Sequence, residues 1–387
     1  MTRFAFVTWD GGGNVPPAVG IAQELRSRGH DVVFIGYEVQ RESFAEKGLE
    51  FVTLRRSGQF QIYEASDPTK RIAGVIANVW ACPEHLHDVP DAVAATSTDV
   101  LVVDFAMHGA LASAIGLATP VAVLAHSSIA GLVPPPESPI GAARLSATNS
   151  LREHADLPTL MRLNDAWTGY LTLVTTISAL DPAAAGADSN VHYIGPVFEN
   201  FGDVRWDSPW DADDDRPLVV VSFTTTAHWD QSGRIRNTIA ALADEAVRVL
   251  VLSSQTLDLA PVPDNTAIRR FVPHALVLPS AAVTVTHAGH GTVAASLAHG
   301  VPLVALPNPM ADQPFLAATI QSLGAGLALD GESGPGAIRA AVQEVIGQPS
   351  YASAVANLAI AIGDSPGAKG AAVELERLAL TKGTSLV

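Results

Sequence analysis

Six aspartates crowd the stretch between residues 200 and 217: Asp203, Asp207, Asp211, Asp213, Asp214 and Asp215, with Pro209 and Pro217 beside them. Charge and proline at that density cannot build a core. Each buried carboxylate would need a partner, and each proline withholds an amide donor. The segment 201–217 therefore reads as a solvated acidic linker dividing the 387-residue chain into halves of similar size. At ~150 residues per domain this gives an N-terminal domain, 1–200, and a C-terminal domain, 218–387. Each is large enough to bury its own core, and the last helix is free to pack back on the first domain.

Each half opens on a short apolar run. Phe4-Ala5-Phe6-Val7 ends in a glycine turn, as a strand buried on both faces does. Pro16 and Pro17 then sit where a first helical turn tolerates proline. Val15, Ala18, Val19, Ile21, Ala22 and Leu25 recur at helical spacing, and Gly29 closes the helix. Val32-Val33-Phe34-Ile35 is a second strand. Strand, helix and strand in succession form a βαβ unit and imply a parallel sheet. Leu218-Val219-Val220-Val221 opens the second series.

The halves also resemble each other. At a constant offset of 182, Val103 matches Val285, His108-Gly109 matches His290-Gly291, Ala112 matches Ala294, Pro120 matches Pro302 and Leu124 matches Leu306. Both segments read as strand, polar loop, alanine-rich helix, proline, strand. Generic βαβ grammar could also produce this. Equivalence favours two doubly wound α/β domains, whose ligands bind beyond the carboxyl ends of the strands.

Composition narrows the class. With 48% hydrophobic residues the chain is not disordered. Its 23 basic against 39 acidic residues, a net charge of −16, argue against a nucleic-acid or anionic-membrane surface. The single cysteine, Cys82, excludes a disulfide scaffold and points to a reducing compartment. No run approaches the ~20 apolar residues of a membrane span. Asp10-Gly11-Gly12-Gly13 interrupts any signal-peptide pattern. A soluble cytoplasmic protein is expected.

Two glycine loops could meet a phosphate. Gly11-Gly12-Gly13 lies between a strand and a helix, with Glu38 after the second strand where a ribose-binding acid would sit. However, Pro16 replaces the third glycine of a dinucleotide fingerprint, and Pro17 has no amide to offer. A tight turn is the plainer reading. The loop His287-Ala288-Gly289-His290-Gly291-Thr292 follows the strand Ala281–Thr286 and precedes a helix expected from Val293 to His299. Free amides and the dipole at such a helix start suit a phosphate, although a helix-capped loop without ligand has the same pattern.

Phe271-Val272-Pro273-His274, then His287 to Thr292, then Gly300-Val301-Pro302, then Asp312-Gln313 resemble the donor signature of family 1 GT-B glycosyltransferases, especially their bacterial natural-product (antibiotic-type) branch. Phe4 to Pro17, Arg26 to Asp31, Gly195-Pro196 and Ser222-Phe223 extend the resemblance over nearly the whole chain. It implies two Rossmann-like domains facing across a cleft. The implied reaction transfers a sugar from a dTDP- or UDP-sugar to a small natural-product acceptor, with inversion, and with no metal and no cofactor beyond the nucleotide-sugar co-substrate. Phe271, with Val272, matches the base-stacking position; the alternative is a core aromatic. His287, Gly289, His290, Gly291 and Thr292 match the diphosphate cradle, with Ser222 and Thr225 from the first strand of that domain. Asp312 and Gln313 match the pair that bonds sugar hydroxyls; the alternative is a surface turn. Acceptor-binding candidates are Trp9, Phe60, Trp80, His85 and His126, each of which could equally be packing. A homodimer is compatible with this reading.

Three positions depart from the pattern. Thr224-Thr225-Thr226 replaces a glycine-containing pair, Ala295 stands where a ribose-binding glutamate is common, and Asn14 stands where the catalytic histidine is usual. Asparagine cannot act as a base. Its partner aspartate matches Asp104. His108, four residues on, is expected to form the base with Asp104, with Asp10 in reserve and Asn14 positioning the acceptor; the alternative is that His108 merely caps or packs. A nucleotide-sugar epimerase of the same architecture and a non-catalytic homologue are the alternatives.

Overall fold

A computed structural model describes residues 1–60, 67–223, 230–255, 257–258, 261–309 and 311–381. The chain divides into two compact units: Met1–Glu199 with the segment from Pro366, and Asn200–Ser365.

In the first unit the described strands are β1 (Arg3–Val7), β2 (Asp31–Gly36), β3 (Glu50–Thr53), β4 (Val100–Asp104), β5 (Val121–Ala125), β6 (Leu171–Val174) and β7 (Val191–Tyr193). They form one sheet in the order β3-β2-β1-β4-β5-β6-β7, parallel throughout. Alternation along each strand feeds two cores. Ala5, Val7, Leu101 and Val103 face Val89, Val93, Ala110 and Leu111. Phe4, Phe6, Val100 and Val102 face Ala18, Val19, Ala22 and Leu25 of the helix Val15–Ser27. The final helix, Gly367–Leu380, adds Ala371, Ala372 and Leu375 to that second core.

The second unit repeats the plan. Its strands are β8 (Leu218–Ser222), β9 (Arg248–Leu252), β10 (Thr266–Arg269), β11 (Ala281–Thr286), β12 (Leu303–Ala305) and β13 (Gly326–Ala328). The order is β10-β9-β8-β11-β12-β13, again all parallel. Val219, Val221, Val249, Val251, Val283 and Val285 pack in one core with Ile235 and Ile239 of the helix Ser232–Leu242 and Ile338 and Val342 of the helix Pro335–Gly347.

Both sheets therefore contain the doubly wound 3-2-1-4-5-6 order, which the first extends by a seventh strand, with a switch point between their first and fourth strands. The offset of 182 is structural: β4 and β11 hold equivalent places, as do the helices His108–Ala114 and His290–Ala298 and the strands β5 and β12. The second helix starts three residues before the expected Val293, so His290, Gly291 and Thr292 form its first turn.

The acidic segment is not simply a solvated tether. It belongs to the second unit. The aspartates mostly face solvent, but Trp206 and Trp210 pack beside Leu218, Val220, Leu250 and Leu252. The Arg269 guanidinium lies 5.8 Å above the Trp206 ring and that of Arg248 5.9 Å above Trp210. Arg216 is paired with Asp214 at 2.7 Å. Two tryptophans thus anchor a strip whose charges stay outside. Among the described residues, no single helix is long and apolar enough to cross a membrane.

Candidate active site

In the second unit, the switch point lies beyond β8 and β11. Ser222 ends β8, and its Oγ is 3.1 Å from His274 Nε2. Beyond β11 the chain passes through Ala288 at φ +63° into the helix at His290. A left-handed alanine is strained, and such strain clusters where a loop must hold one geometry. The Gly289 N-cap offers no side chain, so the amides of the first turn carry no side-chain cap. A Cβ on Gly289 would stand 2.5 Å from His287 Nε2, so glycine is what lets the imidazole lie against the loop. A Cβ on Gly291 would meet nothing within 4 Å among the described residues. One glycine makes room for protein; the other leaves the helix start open.

His287 lies nearly parallel to Phe223, ring centroids 6.3 Å apart. Burial, and secondarily the Arg234 charge, lower its pKa to about 4; burial lowers His290 to about 4 as well. Both are neutral near pH 7 and offer one N–H each. His287 Nδ1 and His290 Nε2 have no hydrogen-bond partner among the described residues. Thr292 is buried in the same turn, and Ala295 is packed in the core. Phe271 is 53% exposed and packs on Phe201 at 5.2 Å; it is no core aromatic. Val272, by contrast, turns its side chain into the apolar cluster. Thr225 lies outside the described residues.

The loop after β12 repeats the device. Ala311 has φ +57°, Asp312 is buried as the N-cap residue, and Gln313 begins the helix Gln313–Ser322. Gln313 Oε1 accepts from the Asn308 backbone N–H at 3.1 Å and from Asn308 Nδ2 at 2.9 Å. The backbone N–H can only donate, so it identifies Gln313 Oε1 as the acceptor and makes Nε2 the donor end of the amide. Asn308 Oδ1 accepts from Gln231 Nε2 at 3.2 Å and from Arg234. Arg234 is held by Gly331 O at 2.7 Å and Glu332 at 2.8 Å. Neither Asn308 nor Arg234 is marked by the sequence; their place in this network comes from chain segments far apart in number.

In the first unit the switch point lies beyond β1 and β4, where Asp104 ends β4. Its Oδ2 accepts from Asn14 Nδ2 at 2.9 Å. Its Oδ1 accepts from the Ala106 N–H at 2.9 Å and from Trp9 Nε1 at 3.4 Å. Burial raises its pKa to about 6 against these bonds and the Arg144 charge. Asn14 Nδ2 also donates to Trp9 O at 3.0 Å and Thr8 Oγ1 at 3.2 Å, while its Oδ1 has no hydrogen-bond partner among the described residues. Trp9 meets Trp80 edge-on at 6.2 Å, and the Arg144 guanidinium lies 4.1 Å above the Trp80 ring. Phe60 packs at the edge of the same core. Asp10 is half-buried in the turn after β1.

Two expectations fail here. His108 does not pair with Asp104. The chain turns tightly after β4, with Met107 N–H donating to Asp104 O at 3.0 Å, and carries His108 into the core. Its ring nitrogens have no hydrogen-bond partner among the described residues, and burial with the Arg144 charge lowers its pKa to about 3. The histidine beside Asp104 is His126, Nδ1 to Oδ2 3.9 Å. His85 is not an acceptor contact either. It is fully buried, and its Nε2 lies 2.9 Å from Tyr37 Oη, whose hydroxyl donates to Asn78 O at 2.6 Å. Among the described residues no three His, Cys, Asp or Glu side chains could together hold a metal ion.

Residues 234–378 match the family model described as erythromycin biosynthesis protein CIII-like, C-terminal domain. The 4'-demethylrebeccamycin synthase of Lentzea aerocolonigenes is 28% identical over 395 residues, covering 90% of this chain and 93% of that protein. The demethyllactenocin mycarosyltransferase of Streptomyces fradiae is 27% identical over 348 residues, covering 80% of this chain and 71% of that protein. Among solved structures, the calicheamicin glycosyltransferase CalG4 superposes with a TM-score of 0.78 at 23% identity, covering 98% of each chain. The glycosyltransferase VinC in complex with dTDP gives 0.74 at 18% identity, covering 98% of this chain and 100% of that one. The fold is the one these glycosyltransferases share, and the resemblance read between residues 271 and 313 is to the same group.

Proposed function

We propose that this chain, which has the GT-B glycosyltransferase fold and antibiotic glycosyltransferases among its relatives, transfers a sugar from a dTDP- or UDP-sugar to a small natural-product acceptor. Inversion at the anomeric carbon and independence of metal come with the family resemblance. The observation that carries the reading is the helix start at His290: uncapped amides, open space over Gly291 and a neutral His287 N–H suit a diphosphate. These donors stabilise the diphosphate as it leaves with the electron pair of the broken C–O bond. Thr292 adds a hydroxyl donor, and Phe271 offers an exposed ring for the base. Asp312 accepts hydrogen bonds from sugar hydroxyls and Gln313 donates one. In the first unit Trp9, Phe60 and Trp80 border the acceptor, Asp104 organises the site, and Asn14 positions the acceptor through its amide. The reaction belongs in the cytoplasm, where Cys82 stays reduced.

The test is incubation of the purified chain with dTDP- and UDP-sugars and a natural-product acceptor panel, followed by mass spectrometry. The reading expects a glycosylated acceptor together with stoichiometric nucleoside diphosphate. Release of free sugar regardless of acceptor would refute it.

A further inference from the structure

We infer that the acceptor of this transferase carries a carboxylate apart from the group that takes the sugar, and that Arg144 is the residue that recognises it. The inference rests on the function proposed above and names the class of acceptor.

The helix Pro139–His154 buries Gly141, Arg144, Thr148 and Leu151, the three- and four-residue spacing by which a helix faces its core. An arginine therefore stands where an apolar side chain is expected, and it is 5% exposed. A guanidinium has five N–H donors and no acceptor. One is spent: Nη1 donates to Leu132 O at 3.1 Å, at the end of the helix Ile129–Leu132. Nε is sealed from solvent and has no hydrogen-bond partner among the described residues. No described carboxylate pairs with it. Asp104 is the acid whose charge it feels, but the Asp104 oxygens are engaged by Trp9, Ala106 and Asn14. Burial outweighs that charge and lowers the Arg144 pKa to about 10, so the group remains a cation near pH 7.

The surroundings add donors rather than acceptors. The guanidinium lies 4.1 Å above the ring of Trp80, whose own Nε1 is buried without a partner among the described residues. His108, near enough for the Arg144 charge to act on it, leaves both ring nitrogens unpartnered among the same residues. Trp80 meets Trp9 edge-on at 6.2 Å, and Trp9 Nε1 lies 3.4 Å from Asp104 Oδ1. Arg144 is thus two indoles away from the carboxylate at the switch point of the first sheet. Trp80 is only half-buried, so the pair borders the surface of the unit. A buried cation with unspent donors costs stability until an anion meets it, and a ligand carboxylate supplies what the protein does not. The nearby Asp104 charge disfavours a dianion such as a phosphate ester, whereas the flat guanidinium fork matches the two oxygens of one carboxylate.

The experiment compares a hydroxynaphthoate with its methyl ester, two probes of one shape that differ in the charge. Binding is read by tryptophan fluorescence and calorimetry on the unaltered chain, Arg144→Lys and Arg144→Gln. A hydrogen bond to a charged group is worth on the order of 10- to 100-fold, so the unaltered chain should prefer the acid by at least ~10-fold. Arg144→Lys, which keeps the charge but not the fork, should narrow that preference, and Arg144→Gln should abolish it. Nucleoside diphosphate binding on the same samples reports whether the variants are folded; if Arg144→Gln is not, the unaltered chain and Arg144→Lys decide. With a nucleotide sugar added, the same preference should appear in kcat/KM for transfer to the hydroxyl. No preference in the unaltered chain, or one that survives Arg144→Gln, would overturn the assignment; equal transfer to acid and ester would do so while leaving the transferase reading intact. Arg144-dependent binding of the acid without transfer to any acceptor would uphold the carboxylate site and defeat the transferase reading.

Discussion

Asn14 Nδ2 donates to Asp104 Oδ2 at 2.9 Å, across the carboxyl ends of β1 and β4. An amide occupies the place where a histidine would receive the same carboxylate's support. The pair is buried, so its charge matters. Asn14→Asp would set two carboxylates in contact, and one would have to hold its proton. A folded-state pKa raised in this way adds stability at low pH that is lost as pH rises through it. Thermal unfolding of Asn14→Asp should therefore match the parent near pH 4 and fall behind it near pH 8, by on the order of 2 kcal/mol. A difference independent of pH would mean that the two side chains do not share one oxygen.

Acidification should also stop the reaction. Asp104 titrates near 6 because burial outweighs the bonds it accepts from Ala106, Asn14 and Trp9 and the charge of Arg144. Protonation puts a hydrogen on an oxygen that Asn14 and His126 both face. Transfer kcat/KM should fall as pH is lowered through about 6. Nucleoside diphosphate binding in the second unit should not follow the same curve. A rate profile flat across that region would remove Asp104 from the proton path.

Gly291 and Gly289 give opposite expectations for the same change. Gly291→Ala meets no described atom within 4 Å and replaces a helical glycine, which favours folding by up to ~1 kcal/mol. It should raise or hold the melting temperature while weakening nucleoside diphosphate binding at least ~10-fold, because the methyl occupies the approach to the amides. Gly289→Ala drives a Cβ to 2.5 Å from His287 Nε2 and should lose stability as well as binding. Calorimetric titration beside thermal unfolding separates the two. If Gly291→Ala binds like the parent, the diphosphate does not sit on this helix start.

Phe271→Ala should weaken nucleotide binding by ~1–3 kcal/mol, the usual worth of a base stacked on an aromatic ring. The ring is 53% exposed, so stability should change little. Calorimetry with uridine and thymidine diphosphates checks this; parental affinity in both would mean that the base does not stack on Phe271.

The strands were legible because buried parallel strands are written as apolar runs, as at Phe4–Val7 and Leu218–Val221. The offset of 182 was legible because both halves carry the same strand, helix and strand in the fourth and fifth places of their sheets. What sequence proximity could not reveal was lateral neighbourhood. His108 is four residues from Asp104, yet the turn at Phe105–Met107 sends it inward. His126 is twenty-two residues away, yet the pairing of Asp104 with Leu124 brings it alongside. The anchoring of the acidic strip was hidden for a related reason: its charge was plain, but the Arg248 and Arg269 that hold its tryptophans lie on β9 and β10.

The same lateral logic makes Asn308 the residue to remove in a test of sugar recognition. It holds Gln313 Oε1 with two donors and is itself held by Gln231 and Arg234. Asn308→Ala removes one of the two donors that hold Gln313 Oε1, leaving only the backbone N–H, and so loosens its orientation from a loop separate from the helix start at His290. A site that bonds a sugar hydroxyl through an oriented N–H loses most when that orientation is lost. Turnover with the nucleotide sugar should therefore drop by roughly 10-fold or more, since one hydrogen bond to a poised group is worth ~1–2 kcal/mol. Affinity for the nucleoside diphosphate alone should stay within a few-fold of the parent. Asp312→Ala should show the same split if its carboxylate meets the sugar, as proposed above, rather than the diphosphate. If either variant loses free nucleotide and turnover in equal measure, the loop after β12 supports the diphosphate and not the sugar.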